Sequence, residues 1–203
     1  MGRFVLLPVA LLAALACSVA CGTGRTMRVE PTPTAGDTPH RAALAERLAA
    51  IDRAVSAWQA ASDLPAARRA AEEARNLVVG ADGPSYGDSD GDGTVRGAGA
   101  AGLLPGLTGV AGLAAEEDGA CVVRDVLGGS WADPAARWAE LDARIAAWAP
   151  ANNTFPALPS HPQRIVGWAT LALRARSLDE AVEYAGHARL HVDVSVRALT
   201  DCR

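Results

Sequence analysis

The sequence is poor in aromatic side chains, with five tryptophans, two tyrosines and two phenylalanines among 203 residues. Half of the residues are apolar, but alanine carries much of that half. Sheets built on large side chains are therefore disfavoured. Small-faced helices in close approach are favoured, and the expected fold class is all-α, a small up-down helical bundle with one core. The chain also lacks a basic cluster. Its 19 basic and 23 acidic residues are interleaved, the formal net charge is −4, and no electrostatic footprint for nucleic acid is present. No apolar run reaches the roughly 20 residues of a membrane-spanning helix; residues 4–16 make a run of about 13 that contains Pro8. A nucleophile elbow, a phosphate-binding glycine loop, a haem-attachment pair and a zinc-protease helix are all missing, so the chain reads as a non-enzymatic module.

What is present begins with an address. Arg3 precedes the apolar run FVLLPVALLAALA, and small residues then lead to CSVACG, which is signal-peptide grammar. Ala-Leu-Ala before Cys17 and Ser-Val-Ala before Cys21 resemble the lipobox of bacterial lipoproteins. The resemblance implies export, a lipid on the first cysteine of the mature chain, and anchoring on the outer face of the bacterial cytoplasmic membrane. Cys21 is the favoured attachment residue because the small, flexible Gly22-Thr23-Gly24 follows it; Cys17, with more apolar residues before it, is the alternative. Neither has the leucine three residues upstream that the family prefers. A plain cleaved secretory signal is accordingly the other reading, and export follows from both. Residues 22–38, without apolar periodicity and with Pro31 and Pro33, read as a tether reaching about 50 Å at about 3 Å per extended residue. The expected organisation is a signal segment over 1–21, a tether over 22–38 and a helical domain over 39–203.

In that domain Thr38 and Pro39 signal a helix start, and Leu44, Leu48, Ile51, Val55 and Trp58 follow helical spacing. Asp63 caps a second helix with Leu64, Ala67, Ala71, Ala74 and Val78 on one stripe and the charges opposite, ended by Gly80. A glycine-rich loop over 80–105 follows, longer than an ordinary connection and so either functional or disordered. An apolar helix over 107–127 is expected to follow, against the cost of Gly109, Gly112 and Gly119, each about 1 kcal/mol there relative to alanine. Asp133 and Pro134 start a helix carrying Trp138, Leu141, Ile145 and Trp148. Two more helices are expected, over 163–175 and from Ser177 to about Leu199, the second opened by a Ser177-Leu178-Asp179-Glu180 capping box. The segment from Asp63 aligns with that from Ser177, matching positions 64/178, 67/181, 71/185, 74/188, 75/189 and 78/192. Two packed helical hairpins would produce this match by duplication; two alanine-rich amphipathic helices would produce it by convergence.

The most specific local signal is Gly87-Asp88-Ser89-Asp90-Gly91-Asp92-Gly93-Thr94-Val95. Carboxylates at alternate positions can converge on one hard cation, and the glycine after the third acid permits a sharp turn. The stretch resembles the calcium loops of EF-hand and dockerin modules, with Asp88, Asp90 and Asp92 at the first, third and fifth positions and Gly93 at the sixth. The resemblance implies calcium as the cofactor and the Thr94 carbonyl as a further ligand. It departs from the pattern at Arg96 in the ninth position and at Gly99 in the twelfth, where the family has a bidentate acid. Glu116, Glu117 or Asp118 would complete the shell if the chain folds back. Without calcium, the stretch is a solvated acidic turn.

Glu183, His187 and His191 stand four apart on the last helix and offer a transition-metal site for zinc or copper, with His40 and His161 as loop residues able to approach; the alternative is an ordinary amphipathic helix. Cys121 and Cys202 are the cysteines beyond the export segment, and an oxidising compartment favours a disulfide between them over two free thiols. Trp131, Trp138 and Trp148 either line a ligand groove or fill the gaps that alanine leaves in a core. The function these features favour is a surface-tethered extracytoplasmic binding module for a protein or small-molecule ligand, stabilised by calcium. Its rival is a transition-metal-binding or metalloenzyme-like bundle.

Overall fold

The described residues form five α-helices. In the computed structural model, which describes residues 39–97, 99, 101–117, 119–147 and 158–201, these are α1 Pro39–Gln59, α2 Leu64–Val79, α3 Pro134–Ala146, α4 His161–Arg174 and α5 Leu178–Asp201. A π-helical turn, Val122–Leu127, precedes α3. The described residues form no strand, so the fold is an all-α bundle. All of them belong to one unit, Ala35–Arg203. Cys17, Cys21 and the tether lie outside the described residues, as do Asp118, Trp148 and Cys202. No helix among the described residues is long and apolar enough to cross a membrane.

The starts follow from side-chain chemistry. Asp63 accepts the Ala66 amide at 2.7 Å and Asp133 accepts the Ala136 amide at 3.0 Å, each with proline in the first turn. Ser160 and Gln163 form a reciprocal capping box at the head of α4. The sequence pattern had set that start two residues later and assigned the box to α5, where Ser177 accepts the Glu180 amide at 3.2 Å while Glu180 turns to the Arg176 amide at 2.8 Å.

Helix α1 packs against α2 and α5, and α4 packs against α2 and α5. Small residues allow the close approach. Ala67, Ala71, Ala74 and Val78 of α2 are fully buried, as are their counterparts Ala181, Ala185, Ala188 and Val192 of α5. The indoles fill the remaining space: Trp58, Trp138 and Trp168 are all buried, and Trp131 packs on Trp138 at 5.2 Å between ring centroids.

Two expectations need correction. The charges of α2 do not all face solvent, because Glu72, Arg75 and Asn76 are buried along with the alanine stripe. The loop after α2 folds back over that side and encloses them. The apolar helix over 107–127 is reduced to its last six residues. Gly109 takes a left-handed φ of 89°, and a Cβ on Gly112 would run into the Leu104 backbone. Leu103 and Leu104 are buried in an irregular segment instead, and the Leu104 amide bonds the Val78 carbonyl at 3.1 Å.

Candidate metal centre

The acidic loop is fastened to α2 by three consecutive contacts along the helix. Asn76, fully buried, donates to the carbonyls of Gly87 (3.0 Å) and Arg96 (2.7 Å) and accepts the Gly87 amide (3.3 Å), closing both ends of the loop. Arg75 donates to the Ser85 carbonyl at 2.7 Å and to the Ser89 hydroxyl. Glu72, also fully buried, accepts the amides of Ser89 (2.5 Å), Asp90 (3.0 Å) and Arg96 (3.0 Å). Buried backbone donors must be paired, and here a single carboxylate pairs three of them.

Within the loop Asp88 accepts from Gly91 (2.8 Å), Asp92 (3.1 Å) and Gly93 (2.7 Å), which winds the chain tightly around its carboxylate. Gly91 and Gly93 take left-handed φ angles of 78° and 87°, where glycine carries no Cβ penalty. The result brings one oxygen each of Glu72, Asp88 and Asp90 within 4.8 Å of one another. This acidic cluster can hold a metal ion, since a carboxylate oxygen that accepts one N–H retains a further lone pair.

Asp92 stands apart from that trio. It pairs with Arg96 at 2.8 Å, which draws its carboxyl below the usual range, and it accepts the Thr94 amide at 2.9 Å. The Thr94 carbonyl faces Arg96 Nη1 at 3.4 Å. Burial, together with the Glu72 and Asp92 carboxylates, pushes the Asp90 carboxyl up, against the Asp92 amide and Arg96. Arg96 thus meets Asp90 and Asp92 and is also acted on by Glu72.

Glu72 was not foreseen as a ligand. Glu116 and Glu117, proposed to complete the shell, instead meet His40 at 3.1 Å and Arg41 at 3.4 Å. The available signal was the polar set Glu72, Arg75 and Asn76, whose i, i+3 and i+4 spacing puts them on one face of α2 just before the acidic loop.

The histidines are arranged differently from the pattern of fours. His187 stacks on Trp168, with centroids 4.2 Å apart and planes within 8°. His191, buried, turns its Nδ1 to the Nδ1 of His161 at 3.0 Å. Glu183 is exposed. Among the described residues Glu72, Asp88 and Asp90 are the converging group of three potential ligands; Glu183, His187 and His191 are not brought together. Of the two loop histidines, His161 approaches α5 and His40 pairs with acids. Cys121 is disulfide-bonded; its expected partner Cys202 lies outside the described residues.

No protein-family model, curated protein or solved structure matches this chain. The functional reading therefore rests on the residues themselves.

Proposed function

We propose that this chain is a lipid-tethered, extracytoplasmic helical binding module whose acidic loop is held in shape by calcium. The observation that carries the calcium reading is the convergence of buried Glu72 with Asp88 and Asp90. Glu72 takes the part that the twelfth-position acid plays in EF-hand and dockerin loops, but from the preceding helix. Hard oxygen donors in an irregular arrangement suit calcium better than magnesium, which demands a near-ideal octahedron. A divalent cation would also offset the mutual repulsion of Glu72, Asp90 and Asp92, which adds to burial in pushing the Asp90 carboxyl up despite Arg96. The address is supported by the Arg3-led apolar run and the small residues before Cys17 and Cys21. In an extracytoplasmic setting even a weak calcium site would be filled.

The test is calorimetric titration of the chelator-treated chain with calcium and, separately, magnesium. One-site heat with calcium that disappears in Glu72→Gln and in Asp88→Asn supports the reading. No calcium heat up to millimolar concentration overturns it, and a preference for magnesium would move the assignment to another hard cation. Mass spectrometry of the membrane-extracted N-terminal peptide tests the anchor: a diacylglycerol-modified Cys21 or Cys17 is expected, and an unmodified residue downstream of a cleaved signal refutes it.

A further inference from the structure

A second feature adjoins the acidic loop on its other side. An open cavity of about 420 Å³ lies between α2, α4 and the loop, lined by Arg75, Ser85, Tyr86, Ser89, Thr170 and Arg174 among others. Arg75 is only 4% exposed. One of its nitrogens serves the Ser85 carbonyl and the Ser89 hydroxyl, and its buried Nε has no hydrogen-bond partner. Among the described residues no carboxylate oxygen comes within 4.0 Å of its guanidinium. Glu72 and Asp142 act on it only from farther off, while Arg174 opposes it with like charge. Burial, aided by Arg174, brings its pKa down to about 10. A guanidinium withdrawn from water without a paired anion is costly, and structures rarely leave one so.

Arg174 lines the same cavity from the C-terminal end of α4, is exposed, and makes no hydrogen bond or ion pair within the described residues. Two guanidinium groups therefore share one cavity without an acid between them. Ser85 adds a further sign, because it holds a left-handed φ of 58° without being glycine. Such backbone strain clusters at ligand-holding positions. Its hydroxyl makes no hydrogen bond to another described residue and can donate into the cavity.

We propose that this cavity binds the oxyanion head of a small soluble molecule, a carboxylate or a phosphate, between Arg174 and Arg75 with the Ser85 hydroxyl as a third donor. Arginine forks match both heads bidentately, and the cavity is roomy enough for a head with a short stem. The site stands without the metal reading, although Ser89 belongs to both walls.

The test uses the chelator-treated full chain, so that a failure of the metal reading and a failure of this one remain distinguishable. Calorimetric titration with inorganic phosphate and, in turn, acetate should give one-site binding for at least one of them, and the stronger of the two names the head group. Arg174→Gln should weaken that binding about tenfold or more, with Arg174→Lys falling between it and the unaltered chain, because lysine keeps the charge and loses the fork. Arg174 is exposed and makes no hydrogen bond or ion pair among the described residues, and it repels Arg75, so the thermal midpoint without ligand should not fall appreciably. Absence of saturable binding for both anions overturns the proposal. So does equal affinity in Arg174→Gln, which would place the anion elsewhere.

Discussion

The Nδ1 atoms of His161 and His191 face each other at 3.0 Å, joining the first turn of α4 to the middle of α5. Burial, reinforced by His161, Arg164 and His187, drives the His191 pKa down to about 3 from an ordinary value of 6.5. Burial and Arg164 also lower that of His161, against Asp125. Above pH 6.5 the ring of His191 is neutral in both folded and unfolded chains. Below it the unfolded chain takes up a proton that the folded chain declines until about pH 3, so stability falls across that window as pH drops. The limiting slope is about 1.4 kcal/mol per pH unit for one histidine. Thermal unfolding of the parent and of His191→Gln between pH 7 and pH 5 should show a shallower decline in the variant. Parallel curves would mean that His191 protonates freely in the folded protein.

Asn76 closes both ends of the acidic loop with one side chain. In Asn76→Ala the carbonyls of Gly87 and Arg96 lose their buried donor, at a cost of about 1–3 kcal/mol. Amide hydrogen exchange should accelerate at Gly87 and through the loop, while α5 keeps its protection. Uniform acceleration everywhere would show the loop to be part of the global unfolding unit.

Trp58 ties the two hairpins together, its indole N–H donating to the Ala181 carbonyl at 2.8 Å from a fully buried position. Trp58→Phe removes the donor and part of the ring, and about 1–2 kcal/mol should be lost. Trp58→Ala also leaves a cavity, and about 3–5 kcal/mol is expected. Denaturant titrations of the two variants separate the hydrogen bond from the packing; an unchanged stability in Trp58→Phe would show that the indole N–H contributes nothing.

Cys121 is disulfide-bonded, and the proposed partner is Cys202. Non-reducing peptide mapping should recover a Cys121–Cys202 cross-link, and reduction should cost about 2–4 kcal/mol of stability. A link from Cys121 to Cys17 or Cys21 would refute the pairing and remove that cysteine from lipidation.

Much of the helical layout was legible in the residues. Asp63 and Asp133 with their following prolines, and the spacing of Leu44 to Trp58, set helix starts and core faces by local rules: a cap satisfies orphan amides, and a period of 3.6 makes a stripe. The match of Ala67, Ala71 and Ala74 with Ala181, Ala185 and Ala188 likewise foretold two stripes small enough for close packing, and all six are buried. The short acidic loop was legible as a turn because its acids and glycines are neighbours in sequence.

What lay beyond the sequence is whatever depends on residues far apart along the chain. Helical periodicity assigns Glu72, Arg75 and Asn76 to a polar side of α2, and no local rule says that the loop would fold back and bury that side. Only the tertiary structure decided that Glu72 meets Asp88 and Asp90, that Arg75 lacks a close carboxylate, and that His191 meets His161 instead of acting with His187. Local propensity depends on a few consecutive residues, whereas the surroundings of a buried charge are set by elements that meet only once the chain has packed.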